Sequence, residues 1–485
     1  MEKIVTRFAP SPTGFMHIGG VRTALFAYLW ARKNNGAFIL RIEDTDTERA
    51  VEGSIEHIQE SLRWLNIEWD YGPDKPGPFG SCIQSERLPI YLEFAQKLIA
   101  KGLAYPDPYT EEEITAFREE AQALHQPFLY RNHRPEVFDI WDGTRPLRLK
   151  TPHIQRYAWH DLVRGDLEAG EEALDDFVLI KSDGYPTYNF AHIVDDHLMG
   201  VTHILRADEF ISSTPRFLSL YDALEIPRPQ FATLPPILRE DKTKKLGKRD
   251  GAKDVLEYKE EGYLPEAMVN YLALLGWNPG TPQEVFSFAE LLEAFDLTKI
   301  QKSGALLNPE KMQWFNREFL KKAPDATFVP IIRHAIATQQ RFNTIELSPR
   351  IEKNLLVLVR DRSSLLSDIT RDTEEGEYDF AFIAPALSLD TLKWKKDESV
   401  KDALPRLVRV LELLENAVDS DNPDDIKAII WDYAEEVGRG EVLWPLRVAL
   451  TGKEKSPDPF TVIATIGIPE ALIRIKNACA TIEVS

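Results

Sequence analysis

Lys3-Ile-Val-Thr-Arg-Phe8, then Ala-Pro-Ser-Pro-Thr-Gly-Phe-Met, then His17-Ile-Gly-Gly20 and Val21-Arg-Thr-Ala-Leu-Phe-Ala-Tyr-Leu-Trp-Ala-Arg32 read as a strand, a turn and a helix. The apolar run stops at a double-proline turn, and apolar residues then recur at helical spacing. In an open α/β sheet such a junction lies beyond the carboxyl end of a strand. There the free N–H groups and positive dipole end of a helix favour an anion such as phosphate. Gly19 and Gly20 would let a flat base or a phosphate lie against the backbone. The plain alternative for a lone His-x-Gly-Gly is an ordinary loop, because short motifs match by accident.

Working outward, Ala37-Phe-Ile-Leu-Arg-Ile42 is a second buried-strand pattern, and Glu43-Asp-Thr-Asp46 follows it. A helix is predicted over 48–66, with Ile55, Ile58, Leu62 and Leu65 on one face. This βαβα start implies a parallel sheet. The turn-rich Tyr71-Gly-Pro-Asp-Lys-Pro-Gly-Pro-Phe-Gly80 marks a boundary or an exposed loop. Beyond it, helical stretches at 88–101 and 110–124 alternate with strand-like Leu147-Arg-Leu-Lys150 and Asp176-Phe-Val-Leu-Ile180, an α+β insertion. The sheet resumes near 185, with strand-like Thr202-His-Ile-Leu-Arg206, a helix at 212–225 and a strand at 231–234. From 255 the pattern is helical almost throughout, with 349–369, 423–437 and 458–477 among the predicted helices. Gly276-Trp-Asn-Pro-Gly-Thr-Pro282 and Thr370-Arg-Asp-Thr-Glu-Glu-Gly-Glu377 are the clearest breaks. The expected fold class is α/β: a split Rossmann-type parallel sheet with an α+β insertion, followed by a mostly α-helical C-terminal half.

A chain of 485 residues divides into about three to five domains. No apolar run is long enough to span a bilayer, the first strand starts at once, leaving no room for a signal peptide, and two cysteines are too few for a disulfide framework. A cytoplasmic protein with no membrane partner is expected. The net charge of −20 argues against nucleic acid as a bulk property. Residues 239–253, however, hold seven basic against three acidic side chains, so a positive patch can sit on an acidic body. For such a run alone a solvated loop is the plain reading.

That basic stretch contains Lys245-Leu-Gly-Lys248-Arg249, which resembles the second signature of class I aminoacyl-tRNA synthetases, as Pro10-Ser-Pro-Thr-Gly-Phe-Met-His17-Ile-Gly-Gly20 resembles the first. They stand in the expected order on either side of a long insertion. Further stretches are similar to glutamyl-tRNA synthetases of the bacterial type: Leu40-Arg-Ile-Glu-Asp-Thr-Asp46, Gly184-Tyr-Pro-Thr-Tyr188, Val194-Asp-Asp-His-Leu-Met-Gly-Val-Thr202, Lys302-Ser-Gly-Ala-Leu306 and Pro445-Leu-Arg-Val-Ala-Leu-Thr-Gly452. The resemblance implies ATP-dependent ligation of L-glutamate to tRNA(Glu) through a glutamyl-adenylate, with tRNA needed before glutamate is activated. It gives His17, Lys245 and Lys248 catalytic roles. Arg7, Ser11, Glu43, Tyr188, His192 and Arg206 are implied to line the glutamate pocket. His17, Gly19, Gly20, Glu209, Leu238, Lys245 and Lys248 are implied to meet ATP. The residue types suit these roles, since an anionic side chain needs Arg and a phenol, and an ammonium needs a carboxylate such as Glu43. Relatives often carry Asn at the position of His192, and Gly20 replaces the second imidazole of the first signature.

Mg²⁺ is implied with ATP, held mostly by phosphates and water. Many relatives bind zinc in the insertion, but Leu103-Ala-Tyr-Pro-Asp-Pro-Tyr109 carries no cysteine and no zinc is expected. The two histidines among His192, Asp195, Asp196 and His197 are five apart, not the i, i+4 of a usual helical histidine pair, so helix-terminal hydrogen bonding is expected of these residues instead of metal binding. The implied domains are the catalytic sheet in two halves, 1–75 and 185–238, split by an acceptor-end-binding insertion at 76–184. After them come the KLGKR loop with a stem-contact region at 239–322 and a helical anticodon-binding region in two parts, 323–378 and 379–485. A monomer is expected, with tRNA(Gln) open as a second substrate. Two other readings stay open: the same chemistry on another target, which the long helical tail opposes, and a silent RNA-binding relative, which the presence of His17, Lys248 and Arg206 opposes.

Overall fold

The computed structural model describes residues 3–238, 253–342 and 347–484, so Lys245, Gly247 and Lys248 lie outside the described residues. The chain divides into two compact units, Met1–Lys259 with Pro265–Phe315, and Glu260–Leu264 with Asn316–Ser485.

The first unit begins with β1 (Val5–Phe8), α1 (Ile18–Lys33), β2 (Ala37–Leu40) and α2 (Ser54–Trp64). Strands β1 and β2 pair in parallel from Val5 with Ala37 to Phe8 with Leu40. Neither strand alternates in hydrophobicity, because helices cover both faces of such a sheet; all four residues of β2 are buried. Helix α1 is buried nearly all round for the same reason, and it starts where the loop leaves β1. Helix α2 is shorter than the predicted 48–66: Gly53, at φ 75°, precedes it, and residues 47–49 form a separate short turn.

Next come α3 (Leu88–Ala100), β3 (Ala104–Pro106), α4 (Glu111–Ala123), β4 (Leu147–Leu149), β5 (Tyr157–Asp161), β6 (Gly165–Ala169) and β7 (Val178–Ile180). Strands β3, β4 and β7 form a separate antiparallel sheet. Two buried carboxylates hold its edge. Asp107 accepts from Arg148 Nε at 2.6 Å and from the Tyr130 hydroxyl. Asp176 accepts from both Nε and Nη2 of Arg134 at 2.6 Å and from the Tyr105 hydroxyl at 2.8 Å.

The chain then supplies α5 (Tyr188–Leu198), β8 (His203–Ala207), α6 (Thr214–Leu224), β9 (Gln230–Leu234), β10 (Ile237–Leu238), α7 (Val255–Glu260), α8 (Pro265–Leu274) and β11 (Ala305–Leu306). The main sheet runs β2-β1-β8-β9-β5-β6, parallel except for the β5–β6 hairpin. Strands β5 and β6 come from the stretch read as insertion, yet they extend the central sheet through Asp161, which pairs with Phe231. Asp161 explains the attachment: its side chain accepts from Thr233 N and Thr233 Oγ1 on β9, at 3.1 and 2.6 Å.

The second unit is helical around one core that runs from Leu320 to Ile482. The helix Pro423–Val437 spans the predicted residues. The expected break at 370–377 is instead largely helix, Ser367–Glu374, and the break falls earlier, after Arg362. The cause is Asp368, whose carboxylate accepts from Ser364 N and Leu365 N and so fixes the turn before that helix. The stretch predicted as one helix at 458–477 is two, Pro459–Ile466 and Ile468–Glu483, parted by Gly467 at φ 89°.

Candidate active site

The carboxyl ends of β1, β2 and β8 open on one cavity of about 740 Å³, beside the first turns of α1. Arg7 and Ser11 reach it from β1 and its loop, Glu43 from the end of β2, Tyr188 from the start of α5 and Arg206 from β8. Thr23 of α1 and Lys181 complete different sides of its wall. Parallel strands put these ends on the same edge, which is why residues nearly two hundred positions apart meet there.

Beneath the cavity lies a buried charge network. Arg41 donates to Asp196 Oδ1 at 2.7 Å and to Glu43 Oε1 at 2.9 Å, while Arg7 Nε donates to the same Asp196 oxygen at 3.1 Å. Asp195 accepts from Arg87 at 2.8 Å, Gln84 at 2.9 Å and Tyr91 at 2.8 Å. Burial opposes ionisation of Asp196, but Arg41 and Arg7 outweigh it and hold this carboxyl at about 2. At Glu43 burial wins over Arg41 and Arg7, pushing it up to about 7.

Arg206 is different from its neighbours. Only 5% exposed, it has no carboxylate partner among the described residues: Nη2 donates to Thr214 Oγ1 at 2.8 Å, and Nη1 makes no hydrogen bond. Its guanidinium lies 4.9 Å from the ring centre of Phe217 and 5.1 Å from that of Phe231. Burial lowers its pKa from the usual arginine value, and Tyr188 pulls the other way. A structural ion pair, the plain reading of such an arginine, is therefore not what the fold provides. Among the buried groups Arg7, Arg41, Arg87 and Arg206 outnumber Glu43, Asp195 and Asp196 by one, while the cavity wall is balanced, with Arg7, Arg49, Lys181 and Arg206 against Glu43, Asp46, Glu48 and Asp183.

His192 does not line the cavity, which departs from the pocket role implied for it. It sits fully buried behind Tyr188, stacked on that ring at 4.7 Å. Its Nδ1 lies 2.7 Å from Tyr188 O, so Nδ1 carries the hydrogen. Burial lowers its pKa to about 3 and keeps it neutral. It is a support for the phenol. His197 is exposed, with its ring against Phe94, and Asp195 and Asp196 serve the arginines instead of a helix end. Among the described residues no group of three or more His, Cys, Asp or Glu side chains is gathered as a metal would need.

At the start of α1, His17 is the N-cap residue, and its Nδ1 accepts from Gly19 N at 3.1 Å. A Cβ on residue 19 would come within 2.8 Å of the imidazole, so glycine there is what lets His17 fold over the helix end. Glu209 is exposed, just past the end of β8, and Leu238 lies on β10, paired with β11. Neither lines the 740 Å³ cavity, and nor do His17, Gly19 and Gly20. The network residues Arg41, Gln84, Arg87 and Tyr91 carry no role in the sequence pattern. Arg41, in the middle of an apolar strand pattern, is the available signal, since a buried arginine requires a partner.

A split parallel sheet with an anion-favouring pocket beside a capped helix start is the arrangement of a class I aminoacyl-tRNA synthetase. Residues 3–314 match the family described as tRNA synthetases class I (E and Q), catalytic domain, and residues 288–479 match an anticodon binding domain. A glutamate–tRNA ligase of Clostridium tetani is 40% identical over 98% of this chain and 97% of its own length. One from Flavobacterium psychrophilum is 38% identical over 99% and 100%. The crystal structure of a glutamate tRNA ligase from Elizabethkingia meningosepticum, in complex with its amino acid, superposes with a TM-score of 0.86 at 35% identity, covering 99% of this chain and all of that one. The chain belongs to the glutamate–tRNA ligase family.

Proposed function

We infer that this protein ligates L-glutamate to the 3′ end of tRNA(Glu), using ATP and releasing AMP and pyrophosphate. The observation that carries the specificity is Arg206, a buried guanidinium with a free donor edge in the cavity wall. Glutamate brings two carboxylates and one ammonium, and a carboxylate complements that free donor edge. We assign its side-chain carboxylate to Arg206, with Arg7, Ser11 and Tyr188 shaping the pocket and His192 bracing Tyr188. Its ammonium is assigned to Glu43.

In the first step an α-carboxylate oxygen of glutamate bonds to the α-phosphorus of ATP, and pyrophosphate leaves with the electron pair of the broken P–O bond. In the second a hydroxyl of the terminal ribose of tRNA attacks the activated carbonyl and AMP leaves. Such chemistry rests on positioning and on positive charge placed where negative charge grows. His17 and the α1 N-terminus act on the α-phosphate, Lys245 and Lys248 on the departing pyrophosphate. Gly19, Gly20, Glu209 and Leu238 are assigned to the nucleotide. Mg²⁺ supplies charge neutralisation when it arrives with ATP; the described residues gather no carboxylate cluster for it, which suits an ion held by phosphates and water.

We assign the acceptor end of tRNA to the insertion at 76–184 between catalytic halves 1–75 and 185–238, the stem to 239–322, and the anticodon to the helical regions 323–378 and 379–485. The match of residues 288–479 to an anticodon binding domain supports the last assignment. The protein acts as a monomer in the cytoplasm, and no described helix is long and apolar enough to cross a membrane. Glutamate-dependent ATP–pyrophosphate exchange, run with and without tRNA, tests the reading. Exchange is expected only with tRNA present. Exchange driven by another amino acid, or equally fast without tRNA, would overturn it. Charging of tRNA(Gln) beside tRNA(Glu) is decided by the same protein with both purified tRNAs.

A further inference from the structure

His57 lies on α2, outside the cavity, and joins three parts of the first unit. Its Nδ1 accepts from Met16 N at 3.4 Å, in the residue just before His17. Its Nε2 lies 2.8 Å from both oxygens of Asp254, just after the basic stretch that contains Lys245 and Lys248. Because Nδ1 accepts a backbone N–H, the ring hydrogen is on Nε2 and is donated to Asp254. The ring also stacks on Phe15, with centres 4.6 Å apart.

The same three parts are tied by backbone. Val255 N donates to Met16 O at 2.9 Å, and His17 and Asp254 form an antiparallel bridge. Ser54 Oγ, one turn before His57, donates to Gly14 O at 3.0 Å, and Lys259 pairs with Glu60 at 2.9 Å. Asp254 also caps its own helix through Leu256 N at 2.9 Å. The imidazole is only 11% exposed, and it is the side chain that touches both the His17 loop and the residue from which the chain leads back to Lys248.

We propose that His57 is a positioning residue for glutamate activation: through Met16 and Asp254 it fixes the His17 loop against the start of α7. The proposal rests on the reading that His17 and Lys248 act on ATP. It makes the pair His57–Asp254 a unit whose loss misaligns charge in the transition state while leaving the wall of the glutamate cavity intact, since neither residue lines it. Misplacement of catalytic groups by about an ångström costs up to about a hundredfold in rate.

The test is steady-state glutamate- and tRNA-dependent ATP–pyrophosphate exchange with the full-length protein and the variants His57→Ala, Asp254→Ser, the double variant and His57→Gln. Serine keeps the helix cap of Asp254 but cannot reach the imidazole. Glutamine offers a donor to Asp254 and an acceptor to Met16. His57→Ala and Asp254→Ser should each lower kcat about tenfold, with the KM values for ATP and glutamate within about threefold of the parent. The double variant should be no worse than the weaker single one, and His57→Gln should recover most of the loss. Should His57→Ala fail to fold, Asp254→Ser against His57→Gln gives the same comparison. Unchanged kcat, losses that multiply in the double variant, or losses that only follow a fall in Tm would overturn the proposal. A parent protein without exchange would instead sink the reading of the function, and Lys248→Ala measured alongside separates the two failures.

Discussion

Replacing Arg206 by Met separates a recognition role from a structural one, because the two predict opposite effects on stability. Among the described residues the guanidinium makes a single hydrogen bond, to Thr214 Oγ1, and that hydroxyl keeps its own bond to Phe210 O at 2.8 Å after the change. The thioether replaces a guanidinium that lies against the rings of Phe210, Phe217 and Phe231, a setting that suits it. Removing a buried cation without a counter-ion relieves desolvation, so Tm should hold within about 3 °C or rise. Glutamate loses far more. Truncating one partner of a buried charge pair costs about 2–5 kcal/mol, and at 1.4 kcal/mol per factor of ten this is roughly a 30-fold to 4,000-fold fall in kcat/KM for glutamate. Glutamine, which is neutral, should lose much less, so the preference between the two collapses. The assay is tRNA-dependent ATP–pyrophosphate exchange over a range of each amino acid, paired with calorimetry. An unchanged glutamate kcat/KM, or a Tm that drops by many degrees along with activity, would refute the assignment of Arg206.

Three further outcomes are expected. Lys248→Ala should lower kcat at least about 100-fold with little change in the KM for ATP; a raised KM with kcat preserved would show ground-state binding alone. Glu43, raised by burial to about 7, must ionise to hold an ammonium, so the KM for glutamate should rise about tenfold per pH unit below 7. The linkage has the opposite sign: with the folded value above the ordinary 4.5, the neutral carboxyl stabilises the fold at low pH, and this is lost as pH rises through about 7. Glu43→Gln should flatten that slope in unfolding titrations between about pH 4.5 and 7, and an unchanged slope would count against a raised Glu43. Elemental analysis of untagged protein should find no stoichiometric zinc, and Asp107→Ala, which strands buried Arg148, should cost about 3–5 kcal/mol in denaturant unfolding. One zinc per chain, or a cost below about 1 kcal/mol, would contradict an insertion held by ion pairs.

The fold is legible where pattern and geometry coincide. The first strand, turn and helix, the strand at 37–40 and the helix Pro423–Val437 follow from periodicity and proline punctuation. The attachment of β5 and β6 to the main sheet is not legible, since it depends on Asp161 meeting Thr233 across 72 positions. The Ser367–Glu374 helix escapes a sequence reading because its polar residues suggest a loop, while Ile369 and Thr373 on its inner face are buried. In the site, the resemblance implies Arg7, Glu43 and Arg206, and the apolar strand pattern around Arg41 is a signal for that residue, but nothing local distinguishes Arg87 from a surface arginine until helix α5 brings Asp195 beside it. His192 shows the converse: its side chain lies one layer behind the cavity, against the Tyr188 carbonyl, which no local pattern signals.

The central claim is that the cavity holding Arg206 activates glutamate and hands it to tRNA. Its most direct measurement is the transfer of radiolabelled glutamate to purified tRNA(Glu), with AMP and pyrophosphate counted in the same reaction. One glutamyl group should become acid-precipitable per AMP formed beyond background hydrolysis, and the label should be released by mild base, as an ester would be. AMP formation without esterified glutamate, or esterification by another amino acid in preference to glutamate, would contradict it.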